Sequence, residues 1–360
     1  VQGVAFVVGL ALLVWCVSLA LKPENREALT TLSRAPWWQS GGVIALSVVS
    51  LVLNGALFWV TIRPVTRLKF VDVQATNGVA TLLNYLPFKI GLAARFVIHH
   101  RRDHVPLLTI AAWLAAGAAA ALAVFVPLTA ASAWRRAIDP VWCVAGLGGV
   151  VACAAALWGI SRAFAHARGM ARLHAIARVT GLGRLGMSWV LRSRAFGHLH
   201  HGFAMLAGAR TVGAVIAMRL ADVAVSAARF KVAGMAAGVP IGWDTAVLAA
   251  CAHFVLGVVA PSGQLGMREG GMTGLAALLA IPGVTTGEFA VVALVVGGAE
   301  LAANLVVGGL GFARIKPWRL VGSARAGGDA GGGVGGDAGG GVGGGVGGGA
   351  GDEEKPSRIG

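Results

Sequence analysis

Charge is what this sequence most lacks. Only 12% of its 360 residues are charged, against 56% hydrophobic, which is about half the charged fraction of a soluble globular protein. That shortage excludes an ordinary soluble domain. Catalytic signatures are missing too: there is no G-x-S-x-G, no Walker loop, no Rossmann fingerprint and no H-E-x-x-H. No soluble segment is long enough for a catalytic domain, so neither an enzyme nor a cofactor is expected. Cysteine is scarce. Cys16, Cys143, Cys153 and Cys251 all lie in apolar segments without a C-x-x-C, and they read as buried small hydrophobes rather than disulfides or metal ligands.

The charge that remains is basic, with a formal net of +15. Its residues sit in loops and at span ends, where they set orientation and meet anionic headgroups. That distribution argues against nucleic acid as a partner. Apolar runs of span length recur, each able to cross ~30 Å of hydrocarbon. Spans are predicted at about 2–21, 42–62, 105–127, 141–160, 207–237 and 289–312. The first run has no basic region before it and reads as a retained span rather than a signal peptide. From about residue 322 the chain is nearly all glycine. It cannot bury enough surface to fold, so residues 316–360 are expected to form a disordered cytoplasmic tail.

Two further apolar segments, 74–98 and 245–282, are broken by proline and glycine. If both enter the bilayer and return, every strongly basic loop falls on one face. Those loops are 63–72, 99–104, 161–202 and 314–325. Both termini are then cytoplasmic and the acidic loops with Asp244 and Glu288 lie outside. Pro87 and Gly91 shape one hairpin tip; Pro261, Gly263 and Gly266 shape the other. The hairpins open to opposite faces, each flanked by spans, which is the pattern of an inverted repeat. The expected fold is therefore an all-α integral membrane domain over residues 1–315, with about six transmembrane helices and two re-entrant hairpins.

Charges at membrane depth mark the candidate site. Lys89 and Arg95 lie at the first tip, Arg268 and Glu269 at the second. Either they staple the hairpins together or they form a cationic pocket for an anionic headgroup, with Glu269 positioning Arg268. In the span 207–237, Arg219, Asp222, Ser226 and Arg229 are spaced 3, 4, 3 on one helical face. Arg229 and Lys231 lie toward its outer end, against the charge rule. In the last span Glu300 and Asn304 are one turn apart and face inward; Glu300 pairs with an arginine or binds a proton. The histidines at 198–201 lack a companion acid or cysteine at metal spacing and read as surface. The segment 161–202, with seven arginines and no acid, reads as a basic membrane-surface loop.

The stretch "PSGQLGMREGGMTGLAALLAIPGV", residues 261–284, resembles the P-G-G-L-G-x-R-E segment of the lysylphosphatidylglycerol synthase transmembrane (flippase) region and its stand-alone bacterial relatives. "LLNYLPFKIGLAARFVIHHRRDHVPL", residues 82–107, is similar to that family's L-P-G-R-x-G-E-x-x-R and basic loop. With the order of spans, the resemblance covers about residues 1–315. It implies translocation of an anionic or modified phospholipid, or a lipid-linked sugar, across the cytoplasmic membrane. The synthase's aminoacyl-transfer domain has no counterpart here. Lys89 stands where the family has arginine, Leu92 where it has glutamate, and "VVGGAELAAN" around Glu300 where it has an arginine, so the resemblance does not fix the substrate. The competing expectation is an accessory membrane protein that scaffolds a lipid-modifying synthase or a glycosyltransferase through 161–202.

Overall fold

The computed structural model describes residues 2–86, 89–180, 189, 191, 193–259, 266–279, 281 and 283–316. Among these the chain is all helical, with no strand. The helices are α1 (Gln2–Ala20), α2 (Arg26–Ser33), α3 (Trp37–Ile62), α4 (Phe70–Leu83), α5 (Ile90–Arg101) and α6 (Leu107–Arg135). There follow α7 (Pro140–Phe164), which contains one π turn at Cys143–Leu147, α8 (His166–Val179), α9 (Arg194–Met205) and α10 (Ala209–Ala237). The last three are α11 (Trp243–Val259), α12 (Met267–Leu279) and α13 (Thr286–Ile315).

Helices α3, α6, α7, α10 and α13 are each long and apolar enough to cross a bilayer. A sixth crossing is available if α1 counts together with α2, from which it is bent by 66°. The chain is thus a multi-pass membrane protein. Side chains such as Val14, Val144, Val151 and Leu310 are large, apolar and exposed on these helices, the arrangement that suits a lipid surround. Cys143 and Cys153 share that outer surface. The expectation of four buried cysteines therefore holds only for Cys16 and Cys251, because α7 packs at the periphery.

Local chemistry sets the helix ends. Thr285 and Glu288 form a reciprocal capping box that starts α13. Asp139 caps α7 by accepting from the Trp142 amide at 2.7 Å. Its carboxyl is held below the ordinary range by the Arg135 side chain, then by that amide. The described residues of 161–202, a segment expected as a basic membrane-surface loop, include α8 and most of α9. Helix α9 beds against α6, with Gly202 close to Ala112. Scattered arginines hid α8.

Helices α3 and α10 form the antiparallel central pair. Gly42 meets Val232, Ser47 meets Arg229, Ser50 meets Asp222 and Asn54 meets Arg219. Helices α4 and α5 have 14 and 12 residues, about 21 and 18 Å, too short to cross alone. They run antiparallel: Arg102 after α5 donates to Asp72 near the start of α4 at 2.9 Å. Arg314, at the end of α13, reaches the same carboxylate at 3.0 Å. Helices α11 and α12 form a second antiparallel pair, since Leu248 and Leu279 line one hollow together with Arg136 beyond α6.

Small residues allow α4 to bed deeply against α13. A Cβ on Gly308 would lie 2.8 Å from the Leu82 Cβ, and one on Gly311 would lie 2.6 Å from the Ala75 carbonyl oxygen. Backbones this close gain dispersion along the whole contact, the force that membrane helices rely on when apolar burial drives nothing. Replacing Gly308 with leucine is expected to cost about 1–3 kcal/mol by overpacking and to lower the melting temperature in detergent. Adding Leu82→Ala should recover part of the loss. Gly309→Ala, which points into open space, should leave the melting temperature unchanged or raise it.

Candidate functional site

The polar side chains converge where α3, α10 and α13 meet the turn ends of the two short pairs. Glu300 of α13 is the hub of one cluster. Its Oε1 accepts from Arg268 at 2.5 Å, and its Oε2 accepts from Arg229 at 3.4 Å and contacts His253 Nε2 at 2.9 Å. Four helices therefore share one carboxylate: α10, α11, α12 and α13. Asn304, one turn below, donates to the Glu300 backbone oxygen at 2.8 Å and to the Tyr85 hydroxyl at 3.4 Å.

A second network runs along α3. Asp222 pairs with Arg219 at 3.2 Å and accepts from Ser50 at 2.5 Å. Arg219 donates to Asn54 at 3.1 Å, and Asn54 donates to Asn77 at 3.1 Å. Asn77 also accepts from Arg95 at 2.8 Å. The Arg95 guanidinium lies 4.1 Å from the Phe58 ring centroid, and Arg219 lies 5.2 Å from that of Phe254, both within cation–π range. The network thus links α10, α3, α4 and α5 without a break.

Two chambers open onto these networks. The polar one, about 160 Å³, is lined by Ser47, Ser50, Asn54, Asn84, Arg95, Arg219, Asp222, Arg229, Arg268, Glu300 and Asn304, among others. The apolar one, about 310 Å³, has Phe58, Leu92, Leu114, Leu122, Phe125 and Val255 in its wall. Asn54, Asn84, Arg95, Arg219, Phe254 and Val258 belong to both. A separate surface hollow of about 700 Å³ lies between α7 and α8, with Arg162, His166, Arg168 and Arg172 around it.

Of the residues singled out by sequence, Arg95, Arg219, Asp222, Arg268, Glu300 and Asn304 come together at the polar chamber. Ser226 stands behind, accepting from Arg229 at 3.4 Å. Lys89 does not line either chamber; it is the left-handed residue, φ 51°, that opens α5. Glu269, expected to position Arg268, instead accepts from the Gly266 amide at 2.9 Å and fixes the start of α12, while Glu300 holds Arg268. Neighbours i and i+1 on a helix point apart, so this adjacent pair diverges. Gly266, with φ 76°, brings its backbone against Gly9 of α1. Gly91 presses α5 onto the Ala80 carbonyl. Pro87, Pro261 and Gly263 lie outside the described residues.

Sequence reasoning missed Asn54, Asn77, Tyr85 and His253. Asn54 and His253 are polar groups in long apolar runs, and Asn77 and Tyr85 lie in the broken segment 74–98 beside Thr76 and Asn84; intramembrane polarity by itself was the signal. No family model matches the chain, and no curated protein matches it.

Breaking the hub leaves two guanidinium groups uncompensated. Glu300→Gln is expected to lower unfolding stability by about 3–5 kcal/mol, the usual result of orphaning a buried charge. Glu269→Gln keeps an oxygen for the Gly266 amide and should cost only ~1 kcal/mol. Equilibrium unfolding in mixed micelles ranks the two; the reverse order would make Glu269 the partner of Arg268.

Proposed function

We propose that this chain translocates an anionic lipid between bilayer leaflets, the headgroup passing through the polar chamber. The observation that carries the reading is an arginine-rich void among the spans, joined to an apolar chamber. Arginine at membrane depth costs ~2.5–3.5 kcal/mol on insertion scales, and a chain that buries four around one void gains from an anionic visitor. The apolar chamber offers the acyl chains a place beside it.

The packing supports the finer architecture in this proposal, two re-entrant hairpins in inverted repeats. If α3 corresponds to α10, α4 and α5 to α11 and α12, and α6 to α13, contacts within and between the halves have counterparts when the halves are exchanged. The contacts α3–α4, α4–α5, α4–α13 and α3–α13 correspond to α10–α11, α11–α12, α11–α6 and α10–α6. Asp72, Arg102 and Arg314 meet at one end of the bundle, in keeping with a shared cytoplasmic face for those basic segments and for both termini. Arg136 and Asp244 meet around a hollow at the other end. The resemblance at residues 82–107 and 261–284 to the flippase region of lysylphosphatidylglycerol synthases points to the same activity. No covalent chemistry is assigned to the chain. Without a recognisable nucleotide motif, net pumping uses a gradient or a partner, and downhill transfer needs neither.

The test is transfer of fluorescent phospholipids in liposomes containing the purified protein, followed by quenching of the outer leaflet. The wild type should accelerate transfer, and Arg268→Ala or Arg219→Ala should slow it at least tenfold. Transfer at wild-type rates in both variants would remove the polar chamber from the pathway. No transfer at all, with a synthase or glycosyltransferase retained through the basic hollow between α7 and α8, would favour the scaffold.

A further inference from the structure

Translocation of an anionic lipid leaves the headgroup open. The two chambers narrow it, and the choice they make rests on that proposed activity. The polar chamber, about 160 Å³, admits a phosphate group and shares its Arg95 and Arg219 wall with the apolar chamber. Charge narrows the choice. Four arginines and two carboxylates line the polar chamber; the bases outnumber the acids even when Glu269, which sits behind the lining on the Gly266 amide, is counted.

The donors are only partly used. Among the described residues Arg95 has no ion pair; it is buried and rests on Asn77 and Phe58. Among the described residues the Nε groups of Arg219, Arg229 and Arg268 are buried without a partner, and the bonds Arg229 makes are long, 3.3 to 3.4 Å. A phosphate monoester carries about −1.5 to −2 at neutral pH and has three acceptor oxygens. Its oxygens and its second charge can engage more of these idle donors than a phosphodiester headgroup, which supplies a single charge. Arg95 and Arg219 also line the apolar chamber, where the methylenes next to a headgroup can lie against Phe58 and Phe125.

We infer that the site takes a lipid phosphate monoester, an amphiphile ending in a bare phosphate, with the phosphate on Arg95 and Arg219 and the start of its tail in the Phe58–Phe125 chamber. The full chain in detergent should bind dioctanoyl phosphatidic acid at least tenfold more tightly than dioctanoyl phosphatidylglycerol by calorimetry. Inorganic phosphate, which has no tail, should bind at least tenfold more weakly than the phosphatidic acid. Arg95→Gln should abolish the preference for monoester over diester. Ala118→Phe, at an exposed position in the apolar wall, should weaken the lipid without weakening inorganic phosphate. These are ratios within one protein sample, so partial misfolding does not imitate them. Equal affinity for the two lipids overturns the inference, and so does inorganic phosphate bound as tightly as the lipid. Lipid transfer in liposomes without the monoester preference would sink this inference and leave translocation standing; the preference without any transfer would do the opposite.

Discussion

Glu300 receives two arginines and contacts a histidine at the edge of the polar chamber, and the rest of the interior is arranged around that sharing. A lone carboxylate or guanidinium in hydrocarbon is costly enough that it finds a partner or neutralises. Here Arg229, Arg268 and His253 come from three helices to meet Glu300 on a fourth. Sliding any of α10, α11, α12 or α13 by a turn, about 5.4 Å, would break at least one of these contacts. The hub therefore specifies register, which non-directional dispersion between apolar helices does poorly.

Close packing and charge divide the work. Glycine contacts between α4 and α13, and between α12 and α1, bring backbones together and supply attraction without direction. The polar networks supply direction. The amides of Asn54 and Asn77 carry contact from Arg219 across to Arg95, so the two arginines are linked without a carboxylate between them. Dispersion thus holds the walls, while the amides let positive charge accumulate beside the void.

The long spans were legible because hydrocarbon selects unbroken apolar runs, and α3, α6, α10 and α13 fall where the runs do. The stripe Arg219, Asp222, Ser226, Arg229 was legible because helical spacing forces those positions onto one face, and all four face the interior. What escaped had no pattern to carry it. Asn54 and His253 are isolated in their runs, and their importance comes from partners 165 and 47 residues away in sequence. Pairing Arg268 with Glu269 fails for a related reason: closeness along a helix is not closeness of side chains in space. Helix α8 escaped because Arg168, Arg172 and Arg178 lie among its few apolar residues. Helix α9 escaped because its packing onto α6 depends on Thr109 and Ala112, which lie in another segment.

A shared carboxylate also bears on how a headgroup could pass. On the proposed translocation, a phosphate entering the polar chamber would meet guanidinium groups already held by Glu300 and Asp222, so it would exchange partners rather than meet bare charge. Arg229 spreads over Ser47, Ser226 and Glu300 at 3.3 to 3.4 Å, while Arg268 joins α12 to α13 through Glu300. Barriers fall when each lost ion pair is replaced as it breaks, because no step then leaves a charge desolvated and alone. A site with all its arginines fully matched would offer a passing anion no such exchange. One with none matched would not have folded in hydrocarbon. Two carboxylates among four arginines lie between those limits, and transit of an anion requires that intermediate condition.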